Sequence, residues 1–129
     1  MILPGDDNKT LPKIVYEEIE GNITISGRSI SNHANEYFGE FLVYFNDCMS
    51  KNPTDLLINI DLEYFNTQTA RMMMNFLKDV KKIHEKGFKV KVLWFVDNGD
   101  EDLMEAGHDF QSIIKLDFEF IEKPEEEDL

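Results

Sequence analysis

A single cysteine, Cys48, stands in 129 residues, so no internal disulfide and no thiolate zinc cluster can form. That usage suits a reducing cytoplasm. Cys48 falls on the apolar stripe of an expected helix, which points to packing rather than a reactive thiol. Basic residues are also scarce: 13 Lys and Arg face 26 Asp and Glu, a formal charge of −13. This balance argues against nucleic acid and anionic membrane as partners, because phosphate contacts need Lys and Arg. No apolar run approaches the roughly 18 residues of a membrane span. The N-terminus lacks the basic start and apolar run of a signal peptide. The expectation is a soluble cytoplasmic protein, monomeric on its own.

Enzyme signatures are missing too. His33, His84 and His108 have no metal-ligand spacing, and no Gly-rich phosphate loop, nucleophile elbow or zinc-binding helix motif is present. No cofactor or metal is expected. Asp61 and Glu63 share one strand face and form the one pair of carboxylates suited to a small hydrolase. The run 97–102 (Asp-Asn-Gly-Asp-Glu-Asp) lacks the twelve-residue spacing of a calcium loop, so it reads as a turn with a helix cap.

What is present is a globular pattern. An apolar share of 42%, with ten Phe and one Trp, is enough for one domain with a core. Residues 1–12 show no periodicity and read as a flexible arm. Two β-rich runs, 14–19 and 22–26, flank Glu20-Gly21 and form a hairpin signal. Tyr37, Phe38, Phe41, Leu42, Phe45, Cys48 and Met49 recur at helical spacing, with Ser31 or Asn32 as the cap. Residues 55–65 alternate, a second helix carries Met72, Met73, Phe76, Leu77, Val80 and Ile83, and Gly87 ends it. A strand over 88–96, a helix through Leu103, Phe110 and Ile114, and a strand over 115–122 follow. Residues 123–129 read as an acidic disordered tail. The domain therefore spans 13–122.

Strands alternating with helices imply crossovers and a mixed, largely parallel sheet of about five strands. A sheet buried on both faces would show unbroken apolar runs. Alternation in the central strands instead predicts helices packed on one face and a polar open face. On that open face Asp61 and Glu63 are expected beside Lys89 and Lys91, each good pair being worth roughly 0.2–1 kcal/mol.

The remaining constellation is Asn66-Thr67-Gln68-Thr69, where the long alternating strand meets the second helix. Asn66 or Thr67 is suited to cap that helix. A hydroxyl there also lies at the positive end of the helix dipole, where a phosphate is well placed. The C-terminal ends of parallel strands are where open α/β sheets carry their sites.

These residues resemble a known family. The stretch Leu56–Met74, centred on Asp61-Leu62-Glu63-Tyr64-Phe65-Asn66-Thr67, is similar to the SiaC family of bacterial regulatory phosphoproteins, and Gly27-Arg28-Ser29 resembles the segment before its first helix. The resemblance covers about residues 14–121 and implies a STAS-like fold, related to anti-sigma-factor antagonists. It implies no enzyme. In that family the hydroxyl after the Asn is phosphorylated by a kinase with a histidine-kinase-like fold, and a PP2C-type phosphatase removes the phosphate. The unphosphorylated form binds and activates a diguanylate cyclase in c-di-GMP signalling and biofilm control. The resemblance makes Thr67 the acceptor, Thr69 its nearest rival, and Asn66 and Gln68 the flanking binding surface. An anti-sigma-factor antagonist is the alternative role. Two departures stand out: Ile30-Ser31-Asn32-His33 replaces an aromatic-Pro-Glu-Asn run, and Gln68 stands where a small hydroxyl residue is common.

Overall fold

The computed structural model describes residues 1–124. Its elements run β1 (Ile2–Leu3), β2 (Lys13–Glu17), β3 (Asn22–Ser29), α1 (Ala34–Lys51), β4 (Leu56–Phe65), α2 (Thr67–Glu85), β5 (Val90–Val96), α3 (Glu101–Ile114) and β6 (Phe118–Glu122). The six strands lie side by side in sequence order. β1, β2 and β3 pair antiparallel, while β3 to β6 pair parallel. Right-handed crossovers that all step the same way along the sheet put α1, α2 and α3 on one face.

The strand sequences carry that one-sided burial. Ile23 and Ile25 on β3, Ile58, Ile60 and Leu62 on β4, and Val92, Trp94 and Val96 on β5 are buried beneath the helices. Leu57, Asn59 and Asp61 alternate with the buried set of β4 and are only half-buried. Such a period-2 pattern makes a register slip costly, because one residue would turn the whole apolar set outward. The hairpin turn is pressed against the start of β4: Leu57 N–H donates to Gly21 O at 2.9 Å. Gly21 has φ +75°, and a Cβ there would come within 2.0 Å of Asp55 O.

Two aromatic clusters fill the helix–sheet interface. Tyr16, Phe41, Phe45 and Phe76 pack under α1 and α2, with Phe45 and Phe76 edge to face at 5.1 Å between centroids. Trp94, Phe65, Phe110 and Phe118 pack under α3. The Trp94 indole donates to Leu103 O at 3.1 Å. Gly107 makes that approach possible, since a Cβ there would lie 2.6 Å from Trp94 Nε1 and 2.7 Å from a Phe120 ring carbon.

Three features differ from the expectations. The first twelve residues are not a loose arm. β1 adds a sixth strand, with Met1 and Tyr16 exchanging two 2.9 Å bonds. Asp6 Oδ1 accepts from the N–H groups of Thr10 and Leu11, and the Thr10 hydroxyl holds the Asp6 carboxyl below its ordinary range. A two-residue strand has no period to read, which is why it leaves no pattern in the sequence.

The charged column is also arranged differently. Parallel pairing puts Lys91 opposite Leu57, so the lysines lie at the opposite end of the sheet from Asp61, roughly four residues or about 13 Å away. Lys91 pairs with Glu119 at 3.4 Å, and Asp61 pairs with Lys123. The bond to Asp61 raises Lys123 above the usual lysine range. Finally, Lys123, expected in the tail, donates its N–H to Val96 O at 2.8 Å and continues the sheet. Residues 125–129 of the expected tail lie outside the described residues.

Gly107→Ala should destabilise the protein by about 1–3 kcal/mol, the typical cost of overpacking, despite the better helix propensity of Ala. Urea denaturation monitored through Trp94 fluorescence checks this, and equal or greater stability would contradict the close packing of α3 on Trp94.

Candidate functional site at the strand-to-helix corner

β4 ends at Phe65, and Asn66 turns the chain into α2 with extended backbone angles, φ −87° and ψ 177°. Asn66 is the cap. Its Oδ1 accepts from Thr69 N–H at 2.9 Å, satisfying one of the orphan donors of the first turn. Its own N–H donates to Ser29 O at 2.9 Å, and its Nδ2 donates to Ser31 O at 3.1 Å. One residue thus ends a strand, starts a helix and ties both to the segment leaving β3.

With Asn66 as cap, Thr67 is the first helical residue and is exposed. Thr69 is 0% exposed. Its hydroxyl lies 2.5 Å from the Ser29 hydroxyl and 3.2 Å from Ser29 O. The two candidate hydroxyls of this corner are therefore sharply divided, one in solvent and one locked in the core. Gln68 reaches sideways, its Oε1 accepting from Asn35 N–H at 2.8 Å. The expected caps of α1, Ser31 and Asn32, do not fill that role. His33 occupies the cap position without a side-chain bond, and Gln68 supplies a partner from the neighbouring helix instead.

Residue types alone give no reason to place Ser29, Ser31 and Asn35 at this corner. The one signal is Gly27-Arg28-Ser29, whose buried serine at the end of β3 meets Thr69 of α2. Around Thr67 the surface offers Tyr64, 58% exposed, with Arg28 opposite it in the strand register, and Arg71 one helical turn on.

Residues 6–123 match the profile of the SiaC family regulatory phosphoproteins. The chain belongs to the SiaC family. It is 23% identical over 116 residues to an uncharacterised protein of Pseudomonas aeruginosa, covering 90% of each chain. Among solved structures it is similar to a chain in the complex of the diguanylate cyclase SiaD with its activator SiaC, from the same organism. The TM-score there is 0.87 at 22% identity, over 95% of this chain and 99% of that one. SiaC of P. aeruginosa alone matches with a TM-score of 0.84 at 22% identity, over 95% and 98%. At these identities the structures establish the shared SiaC fold.

The other candidates of this SiaC-family chain are scattered. His33 lies at the start of α1, the His84 ring sits 2.9 Å from Phe88 O, and His108 stacks on Phe120 with centroids 4.1 Å apart. Among the described residues no group of three or more His, Cys, Asp or Glu could hold a metal ion. The carboxylate pair is split: Asp61 is tied to Lys123, while Glu63 lines a shallow cleft of about 330 Å³ with Tyr64, Asp100 and Asp102. Asp100 caps α3 by accepting from Leu103 N–H at 3.0 Å, as the turn-and-cap reading requires. Cys48 is half-buried, donates to Glu18 at 3.1 Å, and has its thiol pushed up by burial.

Asn66→Ala should lose roughly 0.5–2 kcal/mol, the usual cost of a lost cap. Thr67→Ala, which removes no cap, should stay within about 0.5 kcal/mol of the native protein. Parallel urea titrations decide between them, and the reverse ranking would mean that Thr67 holds the helix start.

Proposed function

We propose that this protein is a non-enzymatic switch whose unphosphorylated form binds and activates a diguanylate cyclase, and in which a phosphate on Thr67 blocks that binding. The observation that carries the reading is the exposed Thr67 hydroxyl at the first position of α2, set in a corner otherwise fastened by Asn66, Gln68 and Thr69. Family membership supplies the regulatory context. A kinase with a histidine-kinase-like fold would add the phosphate in the cytoplasm and a PP2C-type phosphatase would remove it. SiaC, a relative in fold, is the activator of a diguanylate cyclase in its complex with SiaD.

A phosphate adds about −1.5 to −2 charge units. The helix dipole favours it by roughly 0.3–1 kcal/mol. Neither term is large enough to unmake the buried Ser29–Thr69 contact beneath, so the fold stays. The cost falls at the interface, where a partner surface must desolvate the added charge, which is strongly disfavoured. Hydrolysis by Asp61 and Glu63 has no comparable support, because Asp61 is held by a lysine at the sheet surface.

Thr67→Ala should co-purify with the cyclase of the same organism under all conditions. Thr67→Glu should fold normally and bind about tenfold more weakly or worse, a change of about 1.4 kcal/mol per decade. Mass mapping of the protein after kinase treatment should place the phosphate on Thr67. Phosphate on another residue, or equal binding by both variants, would refute the assignment. Capture of an anti-sigma factor in place of the cyclase would turn the reading to an anti-sigma-factor antagonist.

A further inference from the structure

α2 is the basic helix of an acidic chain. It carries Arg71, Lys78, Lys81 and Lys82 against Asp79 and Glu85, a net charge of +2. Its neighbours are opposite in sign. α1 carries Glu36, Glu40 and Asp47 against Lys51, a net −2, and α3 carries Glu101, Asp102, Glu105 and Asp109 with no basic residue, a net −4.

Two of the α2 charges already have structural partners. The Lys81 ammonium donates to Lys115 O at 2.8 Å, closing the end of α3, and Asp79 accepts from Asn46 of α1 at 3.0 Å. Arg71, Lys78 and Lys82 are different. All three are exposed, and among the described residues none has a carboxylate within 4.0 Å. Thr67, Arg71, Asn75, Lys78 and Lys82 follow one another at steps of four, four, three and four. They form one ridge on the solvent side of the helix. Lys78 and Lys82 stand four apart, a like-charge pair that weakens a helix unless an anion faces it.

We propose that this ridge docks a carboxylate-rich segment of the partner protein, and that a phosphate on Thr67 acts by occupying Arg71 and lowering the charge of the ridge. The proposal rests on the reading of Thr67 as the switch. A phosphothreonine brings about −1.5 to −2 units to a ridge whose Arg71, Lys78 and Lys82 sum to +3, which leaves about +1 to +1.5. It also stands one turn before Arg71, where an i,i+4 ion pair forms, so the guanidinium is occupied within the chain instead of by the partner. The acidic flanks of α1 and α3 sharpen the choice of partner. An acidic segment displaced sideways from the ridge meets like charge, and this fixes its line of approach.

The test uses the full chain and the diguanylate cyclase of the same organism, with affinity measured at low and at physiological salt. The double variant Lys78→Glu/Lys82→Glu alters the ridge at least eleven residues beyond Thr67, about 16 Å along the helix, and leaves the corner intact. Its binding should fall about tenfold or more at low salt, with a flatter salt dependence than the native chain. Lys13→Glu/Lys51→Glu, an equal charge change at exposed positions off the ridge, should bind within about twofold of native. Unchanged binding by the ridge variant, or an equal loss in the control, overturns the proposal while the switch reading stands. No binding of the native chain to the cyclase at either salt overturns both.

Discussion

Four hydrogen bonds converge on Asn66, and the architecture of the strand-to-helix corner depends on them. The backbone N–H reaches back to Ser29 O, the amide nitrogen to Ser31 O, the amide oxygen takes Thr69 N–H, and the carbonyl takes Ala70 N–H at 3.0 Å. Because a single side chain both caps α2 and holds the segment leaving β3, the residues after it are released from capping. Thr67 faces water, Gln68 reaches across to α1, and Thr69 turns inward to Ser29. Three consecutive polar residues thus serve solvent, a neighbouring helix and the core.

Rigidity below the corner determines what a modification there can do. The buried hydroxyl pair rests on a sheet whose inner face is filled by Leu62, Phe65 and the Trp94 cluster. Such close-packed interiors deform little, so a charge added at the surface changes what the surface meets and not how the chain is folded. This division between an inert interior and a variable exterior is what the proposed switch requires.

Much of this is legible in the residues, because one signal is strong. The alternation of 55–65 followed by Asn66-Thr67 locates the long strand, the helix start and the exposed hydroxyl, and the same alternation implies the one-sided helical layer. The partner at the start of α1 is not legible: it comes from Gln68, 33 residues away from Asn35, and no local pattern encodes a bond between helices. The ion pairs escape for a related reason. Cross-strand partners depend on parallel register, which sends Lys91 to Glu119 and Asp61 to Lys123, and alternation within a strand fixes the face of each residue but not its partner on the next strand. β1 is invisible because its bonds arise from a two-residue contact and a local Asp6 turn.

The order of the strands bears on how the chain assembles. Every strand pairs with the one made just before it, so no strand waits for a distant partner. The hairpin of β2 and β3 closes across a four-residue turn, and each helix-strand unit then adds to an edge that already exists. Loop-closure entropy is met in small successive steps instead of one large one. During synthesis the sheet grows at one edge only, and emergence from the ribosome follows the order of assembly, which limits the time each newly added strand is left unpaired to aggregate.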